Sequence, residues 1–277
     1  MTNAPHLLPG CARRFPLRGR PLSDAIVSDG LTCAFEQRAM SEATEDYAAR
    51  LGLGRERQDA CALGSHERAA AATASGRLSE EIIPVAVPQR RGGPVTVQSD
   101  EGIMAATTPE ALARLRPAFS PGGTITASNA SQLSDGAAAV VLCSGETAQE
   151  LGVTPLAEIV SYGEVAGPDP SLGTQPSRAL RVAAARVGIA VADLDVVEIS
   201  EAFAAVVLAS LDDLGLEEGR CNPNGGAVAL GHPIGMSGAR LALTLAYELR
   251  RCGGGTGGAA LCGGGGQGDA IVLRTVS

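Results

Sequence analysis

The chain has 277 residues, 45% hydrophobic but only 3% aromatic with no Trp, and a formal net charge of −8. That length and apolar content suit one large or two ordinary domains with a core of Ala, Val, Leu and Ile, and abundant Ala and Gly favour close helix–sheet packing. The acidic balance argues against a general nucleic-acid binder, whose footprint is a basic face, but leaves room for an anionic ligand held by local Arg clusters or helix N-termini. Cysteines at 11, 33, 61, 143, 221, 252 and 262 are odd in number, with no CxxC or zinc spacing. They point to a reduced cytoplasmic protein without a metal site. Residues 1–9 lack the apolar stretch of a signal peptide, and no run of about 18 apolar residues is present to span a membrane.

In chain order, residues 1–25 are rich in Pro, Gly and Arg and read as loop. Residues 31–51 and 55–75 read as helices, the second with Ala60, Leu63, Glu67 and Ala71 at helical spacing and Gly76 closing it; the simplest reading is a solvated pair. Ile82–Val87 and Val95–Gln98 are short β runs flanking the turn Gln89-Arg-Arg-Gly-Gly93. Leu112–Leu115 reads as a short helix. A polar, small-residue stretch, Gly122–Gly136, reads by itself as a connector and runs into an apolar strand, Ala137–Leu142. Thr147–Leu151 reads as helix and Leu156–Tyr162 as strand.

An α/β rhythm follows. Ser177 caps a helix bearing Leu180, Val182 and Val187, ended by Gly188. Val196–Ile199 is a buried strand, Glu201–Leu214 an amphipathic helix, and Ser237–Arg251 another with Leu241, Leu245 and Leu249 on one stripe. Arg250 and Arg251 suit its C-terminal dipole. Gly253–Gly258 breaks it, and Ala259–Cys262 and Ala270–Val276 read as two strands joined by a glycine turn. Helices alternating with buried strands imply a layered α/β domain.

Three stretches carry chemistry. Asn222-Pro-Asn-Gly-Gly-Ala-Val-Ala-Leu-Gly-His-Pro-Ile-Gly-Met-Ser-Gly-Ala-Arg240 puts His232 in a glycine-rich turn entering a helix, where a neutral imidazole takes a proton or stabilises an oxyanion. Cys262-Gly-Gly-Gly-Gly-Gln-Gly268 puts Cys262 beside glycines whose backbone N–H groups suit an oxyanion hole and favour thiolate; its bland reading is a buried structural thiol. Ser200-Glu201-Ala202-Phe203-Ala204 lies where a strand gives way to a helix, a place where ligands of α/β sheets gather. Glu201 there reads either as a functional acid or as a charge complementing the helix dipole, and Phe203 as a channel wall or core filler. A His and a Cys each held in a glycine turn suggest acyl chemistry on a thioester. The Gly263–Gly266 run precedes no helix, which argues against a phosphate loop.

Together these stretches resemble the thiolase family: its Asn-Glu-Ala-Phe-Ala block, its Asn-x-Asn-Gly-Gly-Ala-x-Ala-x-Gly-His-Pro block and its Cys-x-Gly-Gly-Gly-x-Gly block, in matching order and spacing. Gly123–Val140 is similar to the family's segment beside the pantetheine, and Asn3-Ala-Pro-His-Leu-Leu-Pro9 to the entry into its loop domain. The wording around His232 is closest to acetyl-CoA acetyltransferases. The resemblance implies a layered αβαβα sandwich: a loop domain over residues 1–122 that holds coenzyme A, a remnant of the N-terminal core half over 123–153, and a complete C-terminal half over 154–277.

It implies ping-pong acyl transfer on coenzyme A and acyl-CoA substrates, either thiolysis of acetoacetyl-CoA or a 3-ketoacyl-CoA or the reverse Claisen condensation, with no tightly bound cofactor. His232 would activate the nucleophile, Cys262 would be the acid/base thiol, and Gly264 would donate a backbone N–H to an oxyanion hole. Ser131, Ala130, Leu133, Ala127, Phe119, Leu31, Met40, Ala202 and Phe203 would contact the CoA arm or acyl chain. Ser200 stands where the family has Asn, and Met104 and Ala39 stand where some members place basic side chains. The family's nucleophilic Cys precedes the segments matched here and Cys11 does not fit its motif. The resemblance therefore implies a shortened chain with impaired activity, an uncovered apolar helix face, and a homo-oligomer or a complementary thiolase chain as partner. A non-catalytic CoA- or acyl-binding subunit is the alternative. Ketosynthases, with two histidines, fit less well.

Overall fold

Two short strands, β1 (His6–Leu7) and β2 (Ser23–Asp24), pair antiparallel at the start of this computed structural model, which describes residues 1–8 and 22–276. A π-helical turn, Ile26–Leu31, follows, then helices α1 (Met40–Arg50) and α2 (Arg55–Ala74). Next come the hairpin β3 (Val85–Val87) and β4 (Val95–Val97), and the short helices α3 (Pro109–Ala113) and α4 (Gly145–Glu150). The remainder is β5 (Glu158–Ala166), α5 (Gln175–Arg186), β6 (Val196–Ile199), α6 (Ala204–Leu214), α7 (Ala227–Leu230), α8 (Ser237–Arg251), β7 (Thr256–Gly263) and β8 (Gln267–Arg274).

The core is a four-stranded mixed sheet in the order β5-β8-β7-β6, with β6 and β7 parallel and the other pairs antiparallel. Alternation along its strands sorts side chains to two faces. Val197, Ile199, Ala260, Ala270 and Val272 pack with Ala179, Leu180 and Ala183 of α5 and Val207 and Leu211 of α6. Val196, Ala259 and Leu273 pack with the predicted stripe Leu241, Leu245 and Leu249 of α8. Burying each of these leucines contributes about 1.5–3 kcal/mol. A third cluster joins α1 and α2 to α6 through Ala48, Leu53, Cys61, Ala204, Ala205 and Leu208.

Several sequence expectations change. The first helix begins at Met40, not residue 31. The pair α1–α2 is not solvated. Residues Cys61, Ala62, Ser65, His66, Ala69 and Ala72 are buried, so α2 turns inward the face opposite to Ala60, Glu67 and Ala71. That face is made of small and polar groups, which hydropathy spacing passes over. Residues 137–142 form no strand: they pair with none of the described strands, and Val141 is 96% exposed. Exposed apolar side chains gather at Val140, Val141, Leu142, Leu151 and Val153 and on the β3–β4 hairpin, and none of the large exposed ones belongs to α8.

Thr174, not Ser177, stands at the N-cap position of α5 and makes no side-chain capping bond; Ser177 lies inside the first turn, its hydroxyl directed to Thr174 O and Asp213. The helix expected from Glu201 starts at Ala204. The glycine run expected only to break the chain contributes to β7 from Thr256, because a Cβ at Gly257 would meet Leu245 at 2.6 Å and one at Gly258 would overlap Leu180. These glycines let α8 and α5 approach the sheet from either side. No helix among the described residues is long and apolar enough to cross a membrane.

Candidate active site

The parallel strands β6 and β7 deliver Ser200 and Cys262 to the same edge of the sheet, with Ser200 N–H bonded to Ala260 O at 3.0 Å. This carboxyl edge is the usual place for ligands of α/β sheets. Beyond it, the stretch that reads as a connector is an anchored, partly buried loop. Glu45 of α1 accepts from Thr124 N and Ile125 N, both at 2.8 Å. Asn129 donates to Asp59 of α2 at 2.9 Å and its carbonyl accepts from Ala204 N at the start of α6.

The loop then runs alongside the β6–α6 junction. Ala130 bridges Phe203, Ser131 N–H and Oγ–H both donate to Ala202 O, and the Phe119 and Phe203 rings meet edge to face at 6.3 Å. Thus Ala130, Ser131, Ala202, Phe203 and Phe119 are brought together. Met40 lies against the glycine turn, 3.1 Å from where a Cβ of Gly264 would stand. The π-helical turn that ends in Leu31 touches the His232 loop through Gly30, which faces Ile234. Leu133 and Ala127 instead point to solvent. Cys11 lies outside the described residues.

His232 is held on three sides. Its N–H donates to Gln132 O at 3.1 Å. Gly231 and Gly136 let the 132–136 segment press on the loop, since a Cβ at Gly231 would overlap Ser134 and one at Gly136 would meet Pro233 at 2.7 Å. Nδ1 lies 2.6 Å from Ser237 Oγ, whose own proton goes to Pro233 O at 2.9 Å. A hydroxyl has one proton to give; spent on Pro233 O, it leaves the hydrogen on Nδ1 and the lone pair on Nε2. Burial, helped by Arg240, holds the imidazole pKa below its ordinary 6.5. The result is a neutral imidazole anchored through Nδ1.

Cys262 departs from expectation. Burial pushes its thiol up to about 12, so the neighbouring glycine amides do not yield a resting thiolate. Desolvation of the charged form outweighs their dipoles. The thiol is a proton holder. Ser200 is buried and its hydroxyl has no partner among the described residues.

Glu201 does not face the channel. Its carboxylate is fully buried and accepts from Ser65 Oγ at 2.7 Å, Asn222 Nδ2 at 2.9 Å and Val228 N at 3.0 Å. Sequence reasoning missed Gln132, Ser237 and Asn222. Ser237 and Asn222 stood in the quoted glycine motif, and Asn222, at φ +50°, is a left-handed non-glycine residue in a turn.

The thiolase N-terminal domain profile matches residues 1–146 and the thiolase C-terminal domain profile residues 153–275. A probable acetyl-CoA acetyltransferase of Mycolicibacterium smegmatis is 52% identical over 274 residues, 99% of this chain and 71% of that protein. The acetyl-CoA acetyltransferase of Chromobacterium violaceum is 47% identical over 99% of this chain and 70% of its own length. Among solved structures, the Bacillus anthracis acetyl-CoA acetyltransferase superposes with a TM-score of 0.93 at 39% identity, covering 98% of this chain and 68% of that one. Human mitochondrial 3-ketoacyl-CoA thiolase in complex with CoA gives 0.89 at 36% identity, over 99% and 68%. The fold is thiolase-like α/β.

Proposed function

The chain belongs to the thiolase family, and on that premise we propose that it transfers acyl groups on coenzyme A thioesters, with no tightly bound cofactor. The reaction is thiolysis of acetoacetyl-CoA or another 3-ketoacyl-CoA, or the reverse Claisen condensation. The observation that carries this reading is His232, a neutral imidazole anchored through Nδ1 by Ser237, in a loop packed on the segment that continues from Ala130 and Ser131 beside Phe203. In the cleavage direction a thiolate adds to the β-carbonyl carbon and keeps the acyl group, which then passes to CoA; the bond between the α- and β-carbons breaks and its electron pair stays on the departing acetyl-CoA carbon. Cys262 Sγ–H supplies the proton that quenches it, and a thiol protonated at rest suits that acid role. Gly264 N–H stabilises the oxyanion.

None of the other described cysteines lies in the three motif stretches that carry the chemistry, and three of them are poor nucleophiles. Cys61, Cys221 and Cys252 all have thiols raised above their ordinary value, chiefly by burial. We therefore expect the purified chain to bind CoA but turn over acetoacetyl-CoA poorly, and to self-associate or require a complementary thiolase chain. The exposed run Val140–Leu142 supports that association. Calorimetry with CoA, acetoacetyl-CoA consumption and ultracentrifugation test these points together. Rapid thiolysis by a monodisperse monomer overturns the partner-dependent reading. CoA binding that persists with no turnover in any assembly favours a CoA-binding subunit, and no CoA binding at all removes both.

A further inference from the structure

Glu201 joins three segments that are distant in sequence. Ser65 comes from α2, Asn222 from the turn after α6, and Val228 from α7, and all three donate to its two oxygens. Ser65 Oγ also accepts from Gly226 N at 3.0 Å, so its single proton is committed to Glu201. Asn222 turns its amide oxygen to Ile199 N at 2.8 Å, which commits its NH2 to Ile199 O and Glu201. Every group facing the carboxylate is a donor.

The two glycines of the Asn-Gly-Gly turn follow from this packing. A Cβ at Gly226 would overlap the Glu201 carboxylate, and one at Gly225, at φ +82°, would stand 2.7 Å from Ser65 O. From this node to His232 the path is short. Val228 gives its N–H to Glu201, and its carbonyl accepts from Gln132 Nε2 at 3.4 Å; Gln132 O in turn takes the His232 N–H. Helix α7, which leads directly into His232, is thus held between Glu201 and Gln132.

We propose that Glu201 is a positioning residue whose carboxylate fastens the Asn222–Val228 turn to α2 and so fixes the place and orientation of His232 beside the coenzyme-binding loop. It touches no substrate and acts through His232. The proposal deepens the acyl-transfer reading of that histidine and rests on it. A glutamine of equal size does not substitute, because its one oxygen serves only part of the donor set and its NH2 faces another donor.

The test uses the full chain labelled with 15N-histidine, which carries only three histidines, His6, His66 and His232. In Glu201→Gln with a native far-UV spectrum, the titration midpoint of His232 should rise by about half a pH unit, a roughly threefold change in proton affinity. Its single Nδ1–H tautomer signature should be lost, while His6 stays unchanged. A folded Glu201→Gln protein with the wild-type His232 midpoint and tautomer overturns the proposal. If that variant does not fold, Ser65→Ala decides. It removes one donor to Glu201 and should shift His232 the same way by less, and a folded Ser65→Ala protein with a wild-type His232 overturns the proposal equally. No substrate is involved, so failure of acyl transfer and failure of this proposal are read separately.

Discussion

Gly163 of β5 lies so close beneath α5 that a Cβ on it would overlap the carbonyl oxygen of Ala179 and stand 2.6 Å from the amide nitrogen of Ala183. Both obstacles are backbone, and a neighbouring rotamer change cannot relieve them. Gly163→Ala should therefore destabilise the protein by about 2–3 kcal/mol, the upper range for overpacking a close-packed site. Urea unfolding measures this, and a loss within 0.5 kcal/mol, the scale of an ordinary surface substitution, would show that the helix can lift off the sheet.

Ser237 fixes the protonation pattern of the site. With Ser237→Ala, Nδ1 of His232 loses its acceptor, at a net cost of about 1 kcal/mol, and both neutral tautomers become populated. Any acyl transfer that depends on His232 should fall about fivefold. The 15N shifts of the imidazole check the tautomer directly; an unchanged single Nδ1–H form would mean that another group holds the ring.

Cys262 should be slow to alkylate. Its thiol, pushed up to about 12 by burial, is almost wholly protonated at pH 8, and the thiolate is the reactive form. Exposed Cys143 should be labelled by iodoacetamide first. Mass spectrometry of peptides over a time course gives the order; labelling of Cys262 ahead of Cys143 would contradict the neutral, half-buried thiol.

Stability should respond to pH through Glu198, which is fully buried on β6 with neither oxygen partnered among the described residues. Burial pushes its carboxyl up to about 8 from 4.5, against the pull of Arg240. The unfolded chain ionises Glu198 near 4.5 and the folded chain near 8, so unfolding releases a proton between those values. Its contribution is full below pH 4.5 and is lost as pH rises through 8. His66 and His232 work in the opposite sense. Desolvation holds both below 6.5, so their contribution is present above 6.5 and is lost as pH falls. Glu198→Gln should flatten the decline between pH 6 and 8 and gain on the order of 1 kcal/mol at pH 8. Parallel urea midpoints for wild type and variant across that range would reject this account.

The sequence alone determined the second half of the fold, because its signals are local. The Leu241–Leu245–Leu249 stripe, the run Val196–Ile199 and the glycine stops each specify an element through neighbours three, four or two residues away. It also determined the chemistry on offer, since His232, Cys262 and the glycines around them are contiguous motifs. What only the tertiary structure decided depends on partners far along the chain. The inward face of α2 is set by α6 and α7, and residues 137–142 stay irregular because none of the described strands pairs with them. Glu201 faces inward because Ser65, some 136 residues earlier, supplies a donor. The protonation of Cys262 was decided there as well. Hydrogen bonds to amides are visible in a glycine motif, but the desolvation that outweighs them is a property of everything packed around the sulfur.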